Sequence, residues 1–77
     1  MNIINMNDYK EIRGTLIKKK RTVFGRYKLY ISDGANTVSV LTGKIIFSNI
    51  RIGAQLNVGY IGRKLINIRP GIAWNDD

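Results

Sequence analysis

The strongest constraint on this chain is that its apolar residues come in short runs of alternating character, each ended by glycine or a turn pair. In Arg26-Tyr27-Lys28-Leu29-Tyr30-Ile31, the residues Tyr27, Leu29 and Ile31 fall on one side of an extended strand and Arg26, Lys28 and Tyr30 on the other. Asp33-Gly34 follows as a turn signal, and Val38 and Val40 then alternate with Thr37 and Ser39, which predicts a hairpin. Ile12, Gly14 and Leu16 alternate in the same way with Arg13, Thr15 and Ile17 and predict an earlier strand. Leu56, Val58 and Tyr60 alternate with Gln55, Asn57 and Gly59 in a fourth strand, and residues 63–69 form a fifth with Ile66 and Ile68 inward, stopped by Pro70-Gly71.

Between the third and fourth strands, after Gly43, the apolar positions 45, 46, 47, 50 and 52 are too irregular for a strand and predict a short helix or wound loop. The run Lys18-Lys19-Lys20-Arg21 leads through Thr22-Val23-Phe24 to Gly25 and reads as a basic first loop. Residues 1–8 show no periodicity and read as a loose arm, and 71–77, with Trp74, as a loose tail. The expected fold is all-β: one small five-stranded antiparallel barrel of the oligonucleotide-binding type, closed to remove exposed edges, with the short helix or loop between strands 3 and 4. An SH3-like or Sm-like barrel has a similar length and strand count.

A chain of 77 residues supports one domain. With 44% hydrophobic residues it has the material for a core, unlike a disordered basic tail. There is no cysteine for a disulfide or thiolate metal site, no apolar leader and no membrane-length apolar run, so a cytoplasmic protein without membrane attachment is expected. Histidine is absent too, and four of the five carboxylates lie near the ends, which leaves almost nothing for acid–base or metal-ion chemistry. A non-enzymatic protein with no cofactor is expected.

Charge points to a partner. Between Glu11 and Asp76 there are twelve lysines and arginines against one carboxylate, Asp33, and the net charge is +8. Interleaved cations and aromatic rings suit a polyanion with stackable bases, which predicts single-stranded nucleic acid as the ligand, bound without strong sequence preference. The candidate contacts are Lys18, Lys19, Lys20, Arg21, Arg26, Lys28, Lys44, Arg51, Arg63 and Lys64 for phosphate and Tyr30 and Phe24 for stacking, with Tyr60 and Phe47 read chiefly as core. A phage or plasmid single-stranded DNA-binding protein, self-associating along its strand, has the same signature. So does an adaptor inside a ribosome-associated or other protein assembly.

From Ile12 to Arg69 the chain resembles bacterial translation initiation factor one and related S1-type RNA-binding modules. The similar pieces are Gly14-Thr15-Leu16-Ile17, Tyr27-Lys28-Leu29 with Asp33-Gly34, Thr42-Gly43-Lys44 with Asn49-Ile50-Arg51-Ile52, Gly53-Ala54-Gln55-Leu56-Asn57-Val58 and Gly62-Arg63-Lys64-Leu65-Ile66. The resemblance implies the oligonucleotide-binding barrel and favours RNA over DNA as the partner.

Overall fold

In the computed structural model, which describes residues 8–70, the chain forms a single all-β sheet of five strands with one short helix. The strands are β1 (Tyr9–Arg21), β2 (Tyr27–Ser32), β3 (Thr37–Thr42), β4 (Gln55–Ile61) and β5 (Lys64–Pro70), with α1 (Lys44–Asn49) between β3 and β4. Their hydrogen-bonded order is β1-β2-β3-β5-β4, and β4 pairs back onto β1 to complete a ring. The segments expected to be a loose arm and tail, apart from Asp8, lie outside the described residues, as does Trp74.

The expectation of purely antiparallel pairing fails at one place. Neighbouring strands cannot alternate in direction all the way round a ring of five, because five is odd, so one adjacent pair has to be parallel. That pair is β3 and β5, which share a single registered position, Leu41 opposite Lys64. The Leu41 N–H also donates to the Arg63 carbonyl at 2.6 Å.

β1 closes the ring because it is long enough to serve two neighbours. Residues Tyr9 to Thr15 pair with β4, and Thr15 to Arg21 pair with β2, so Thr15 faces Gln55 on one side and Ser32 on the other. The run Lys18 to Arg21 is therefore strand, a correction to its reading as a loop. Four adjacent charges hide any apolar alternation, yet each of these residues has a β2 partner.

Two bulges interrupt the register, and each reverses which residues face inward. On β1 the pairing steps from Leu16–Ile31 to Lys18–Tyr30, so Ile17 is the extra residue and stands half exposed. On β5 it steps from Tyr60–Leu65 to Gly59–Asn67, which leaves Ile66 unpaired. Leu65 and Ile68 consequently pack on the core while Ile66 is exposed, so the expected inward placement of Ile66 is corrected and that of Ile68 is kept.

The core is the side chains of Ile12, Leu16, Leu29, Ile31, Val40, Leu56 and Val58, all on the inward positions anticipated from alternation. Ile46 and Phe47 of α1, together with Ile50 and Ala54, pack against it from one end. Tyr27 closes that end by tilting against the Phe47 ring, with centroids 4.9 Å apart. Tyr60 is also partly buried against the core.

Glycine is required at two places in the sheet. Gly14 lies where β1 curls over the end of β2, and a Cβ there would run into the Ser32 backbone carbonyl. At Gly59 the ring of Tyr9 lies across the bare backbone, and its hydroxyl donates to Glu11 Oε2 at 2.9 Å while accepting from Asn67 Nδ2 at 3.0 Å. Because the obstacle at Gly14 is backbone rather than a movable side chain, Gly14→Ala is expected to cost about 1–3 kcal/mol as an overpacked site. A urea midpoint unchanged in Gly14→Ala would contradict this close approach.

Candidate nucleic-acid interface

Directly paired residues in adjacent strands point to the same side of a sheet, so the register fixes which side chains share the outer face. One row runs across four strands: Lys20 of β1 opposite Lys28 of β2, Lys28 opposite Leu41 of β3, and Leu41 opposite Lys64 of β5. A second row holds Lys18, Tyr30 and Ser39. A third holds Thr15, Ser32 and Thr37. The face thus grades from ammonium groups at one end to hydroxyls at the other.

The β1 bulge creates the cationic end. Without the extra residue at Ile17, Lys18 and Lys20 would continue the inward parity of Ile12, Gly14 and Leu16. With it, Lys18 emerges beside Tyr30, its ammonium 5.5 Å from the ring centroid, and Lys20 emerges beside Lys28. Like charges directly across a strand pair are destabilising, so Lys20 facing Lys28 is a pairing that folding alone does not favour.

The same shift turns Lys19 inward, opposite Leu29. Its Nζ donates to the carbonyls of Phe47 at 2.8 Å and Ile50 at 2.9 Å, and lies 4.8 Å from the Phe47 ring centroid. Those carbonyls end α1, where a cation complements the unpaired C=O groups. Lys19, anticipated as a phosphate contact, is therefore held in place as the tie between β1 and the helix.

The remaining candidates divide by position. Arg63 lies exposed in the β4–β5 turn next to Lys64 and joins the end of the first row. Arg21 and Arg26 stand exposed on the two arms of the β1–β2 hairpin, beyond the Lys20–Lys28 pair, and Phe24, anticipated as a stacking contact for the strand, lies exposed at its tip, past the paired rows and apart from Tyr30. Lys44 and Arg51 bracket α1 and lie outside the strand rows. Arg13 and Arg69 flank Asn57 on the β1–β4–β5 side, and Arg13 Nε donates to Asn57 Oδ1 at 3.0 Å. Sequence reading passed over Ser39 and Leu41, and no local signal marks them, because their place in the rows depends on pairing between strands distant in the chain.

Among the described residues no carboxylate neutralises the lysine row. Glu11 is opposite Gly59 on β4, and Asp33 lies in the β2–β3 turn, past the hydroxyl end of the face. Asp33 Oδ1 accepts the backbone N–H of Asn36 at 2.7 Å and of Ala35 at 2.9 Å. These bonds, that to Asn36 first, hold its carboxyl below the ordinary aspartate value. The sequence signal for the turn was the Asp-Gly pair, and its carboxylate is used in closing that turn. Among the described residues no group of three or more His, Cys, Asp or Glu is placed to hold a metal ion, and no helix is long and apolar enough to cross a membrane.

Two outcomes test these assignments. Lys19→Ala should lower stability by about 1 kcal/mol or more by leaving two helix-end carbonyls without their charged donor, whereas Lys20→Ala should leave the urea midpoint level or raise it. Asp33 supplies stability that is complete above the ordinary aspartate pKa and is lost as pH falls through its lowered folded value, since the unfolded chain takes up the proton first. Asp33→Asn should therefore flatten the acid limb of the melting-temperature profile, and a limb unchanged in that variant would show the turn carboxylate to be idle.

No family model, curated protein or solved structure matches the chain.

Proposed function

We propose that this protein is a non-catalytic binder of single-stranded nucleic acid, and that its closed five-stranded circuit is a barrel of the oligonucleotide-binding type. The observation that carries the reading is the row Lys20–Lys28–Leu41–Lys64, which no carboxylate among the described residues neutralises and which Lys18 and Tyr30 adjoin. The row suits a strand crossing the sheet, because its cations are strung across four strands, Lys20 and Lys28 about 5 Å apart and Lys28 and Lys64 about 10 Å apart on either side of Leu41, rather than gathered around one compact anion. Leu41 offers an apolar surface between Lys28 and Lys64, and Tyr30 a ring beside them, so bases can lie against the face while phosphates meet the ammonium groups.

The strand order supports the barrel assignment. Its circuit, the parallel contact between β3 and β5 and a helix between β3 and β4 fit the five-stranded architecture whose β2–β3 face takes oligonucleotides. RNA is favoured over DNA by the resemblance to S1-type modules, and the hydroxyl row of Thr15, Ser32 and Thr37 provides partners that a ribose 2′-OH could use. The second reading, an adaptor inside a ribosome-associated or other protein assembly, would set the same positive face against an acidic protein partner. The fold and composition fit a cytoplasmic protein.

Fluorescence anisotropy with a labelled single-stranded RNA, the matching DNA and a duplex, each at several salt concentrations, tests the reading. Single strands should bind more tightly than duplex, and Lys20→Ala and Lys28→Ala should each reduce the log–log salt slope by about 0.7. Tyr30→Ala should cost about 1–3 kcal/mol at constant slope, while Arg69→Ala, on the other side of the ring, should bind nearly as wild type. Failure of every strand to bind at low salt would refute the proposal and direct the positive face to an acidic protein partner.

A further inference from the structure

The β1–β2 hairpin carries a feature that the outer face does not use. Its last paired positions are Arg21 and Tyr27, and Tyr27 is also the last β2 residue with a partner on β3, so residues 22–26 project past the neighbouring strands. At the end of this projection Val23 and Phe24 are 93% and 89% exposed. Two adjacent large apolar side chains left in water gain nothing for the fold.

Hydrogen bonds within the turn brace the tip. Thr22 N–H donates to the Arg26 carbonyl at 2.8 Å, Gly25 N–H to the Thr22 carbonyl at 3.0 Å and Arg26 N–H to Thr22 Oγ1 at 3.1 Å. Gly25 takes a left-handed φ of 79°, which a glycine adopts without strain. Arg21 and Arg26 flank the two apolar side chains on the two arms, and the Lys20–Lys28 pair follows behind them.

We propose that this tip is a wedge that stacks on the terminal base pair where a bound single strand meets a duplex, so that the protein prefers single-strand–duplex junctions to either component alone. The inference rests on the outer face being the strand-binding surface. From the Lys20–Lys28 pair the tip stands about 10 Å further along the hairpin, too far to stack on a base held at that pair but within reach of the next element of a bound nucleic acid. One ring would serve a single unpaired base. Val23 and Phe24 together offer more apolar surface than one ring, as the wider face of a base pair requires, and its two phosphate backbones would then meet the flanking arginines.

The test compares wild-type protein, Phe24→Ala and Val23→Ser/Phe24→Ala on three labelled ligands: a 12-nucleotide single strand, a blunt duplex, and that duplex carrying the same 12-nucleotide overhang. Both variants alter exposed tip residues, and their melting temperatures confirm an intact fold. Wild type should bind the junction about tenfold more tightly than the single strand, the scale of one stacked base, and the variants should lose that gain while holding single-strand affinity within about twofold. Equal wild-type affinity for junction and single strand overturns the inference and leaves the reading of the outer face intact, as does an equal loss on both ligands in Phe24→Ala. Absence of binding to all three overturns both. Phe24-dependent sedimentation with anionic phosphatidylglycerol vesicles, or Phe24-dependent self-association at unchanged oligonucleotide affinities, would assign the tip to lipid or to a second copy and likewise overturn the wedge.

Discussion

Everything in this structure depends on β1 serving as a neighbour to both β4 and β2. A strand of thirteen residues can do this only if it coils, and the coiling is written into three adjacent places. Gly14 lets it pass over the Ser32 backbone, Thr15 changes partners, and the bulge at Ile17 turns the strand and resets its faces. Leu16, between them, donates its N–H to the Ala54 carbonyl and accepts the N–H of Gly53, so the bend is bonded on the β4 side as well. The closed ring, the buried apolar set and the cationic face all follow from that arrangement.

The bulge also explains how one basic run performs two tasks. Lys18 and Lys20 emerge on the outer face, where no carboxylate among the described residues neutralises them, while Lys19 turns under the sheet and caps the end of α1. Four consecutive cations in the sequence look uniform, but one-residue alternation separates them into surface charge and structural tie. This sorting also removes a shared role for the run as a loop. What the chain presents there is a strand surface whose cationic side chains are spaced by the sheet.

Much of the fold was legible in the sequence, and the parts that were not share a cause. Each of the seven core residues sits where period-two alternation placed it, and Asp33-Gly34 closes its turn through backbone hydrogen bonds that the short Asp33 side chain accepts. What escaped reading was register between strands. Residues 66 and 68 share parity, which points Ile66 inward, and the β5 bulge breaks that parity. Lys18 to Arg21 read as a loop because charge on both faces gives no alternation to see. The parallel β3–β5 contact needed no side-chain signal at all, since an odd ring demands one. Of the candidate site, Lys18, Lys20, Lys28, Tyr30 and Lys64 share one face, whereas Lys44 and Arg51 belong to the helix segment and Lys19 to its cap.

The central claim is that the outer face of β1, β2, β3 and β5 receives a single strand, and amide chemical-shift mapping during titration with a short single-stranded RNA tests it most directly. The account predicts the largest shifts at Lys18, Lys20, Lys28, Tyr30, Ser39, Leu41 and Lys64, with Arg13, Asn57 and Arg69 nearly still. Shifts centred on Arg13, Asn57 and Arg69, or spread evenly over all thirteen basic residues, would contradict it.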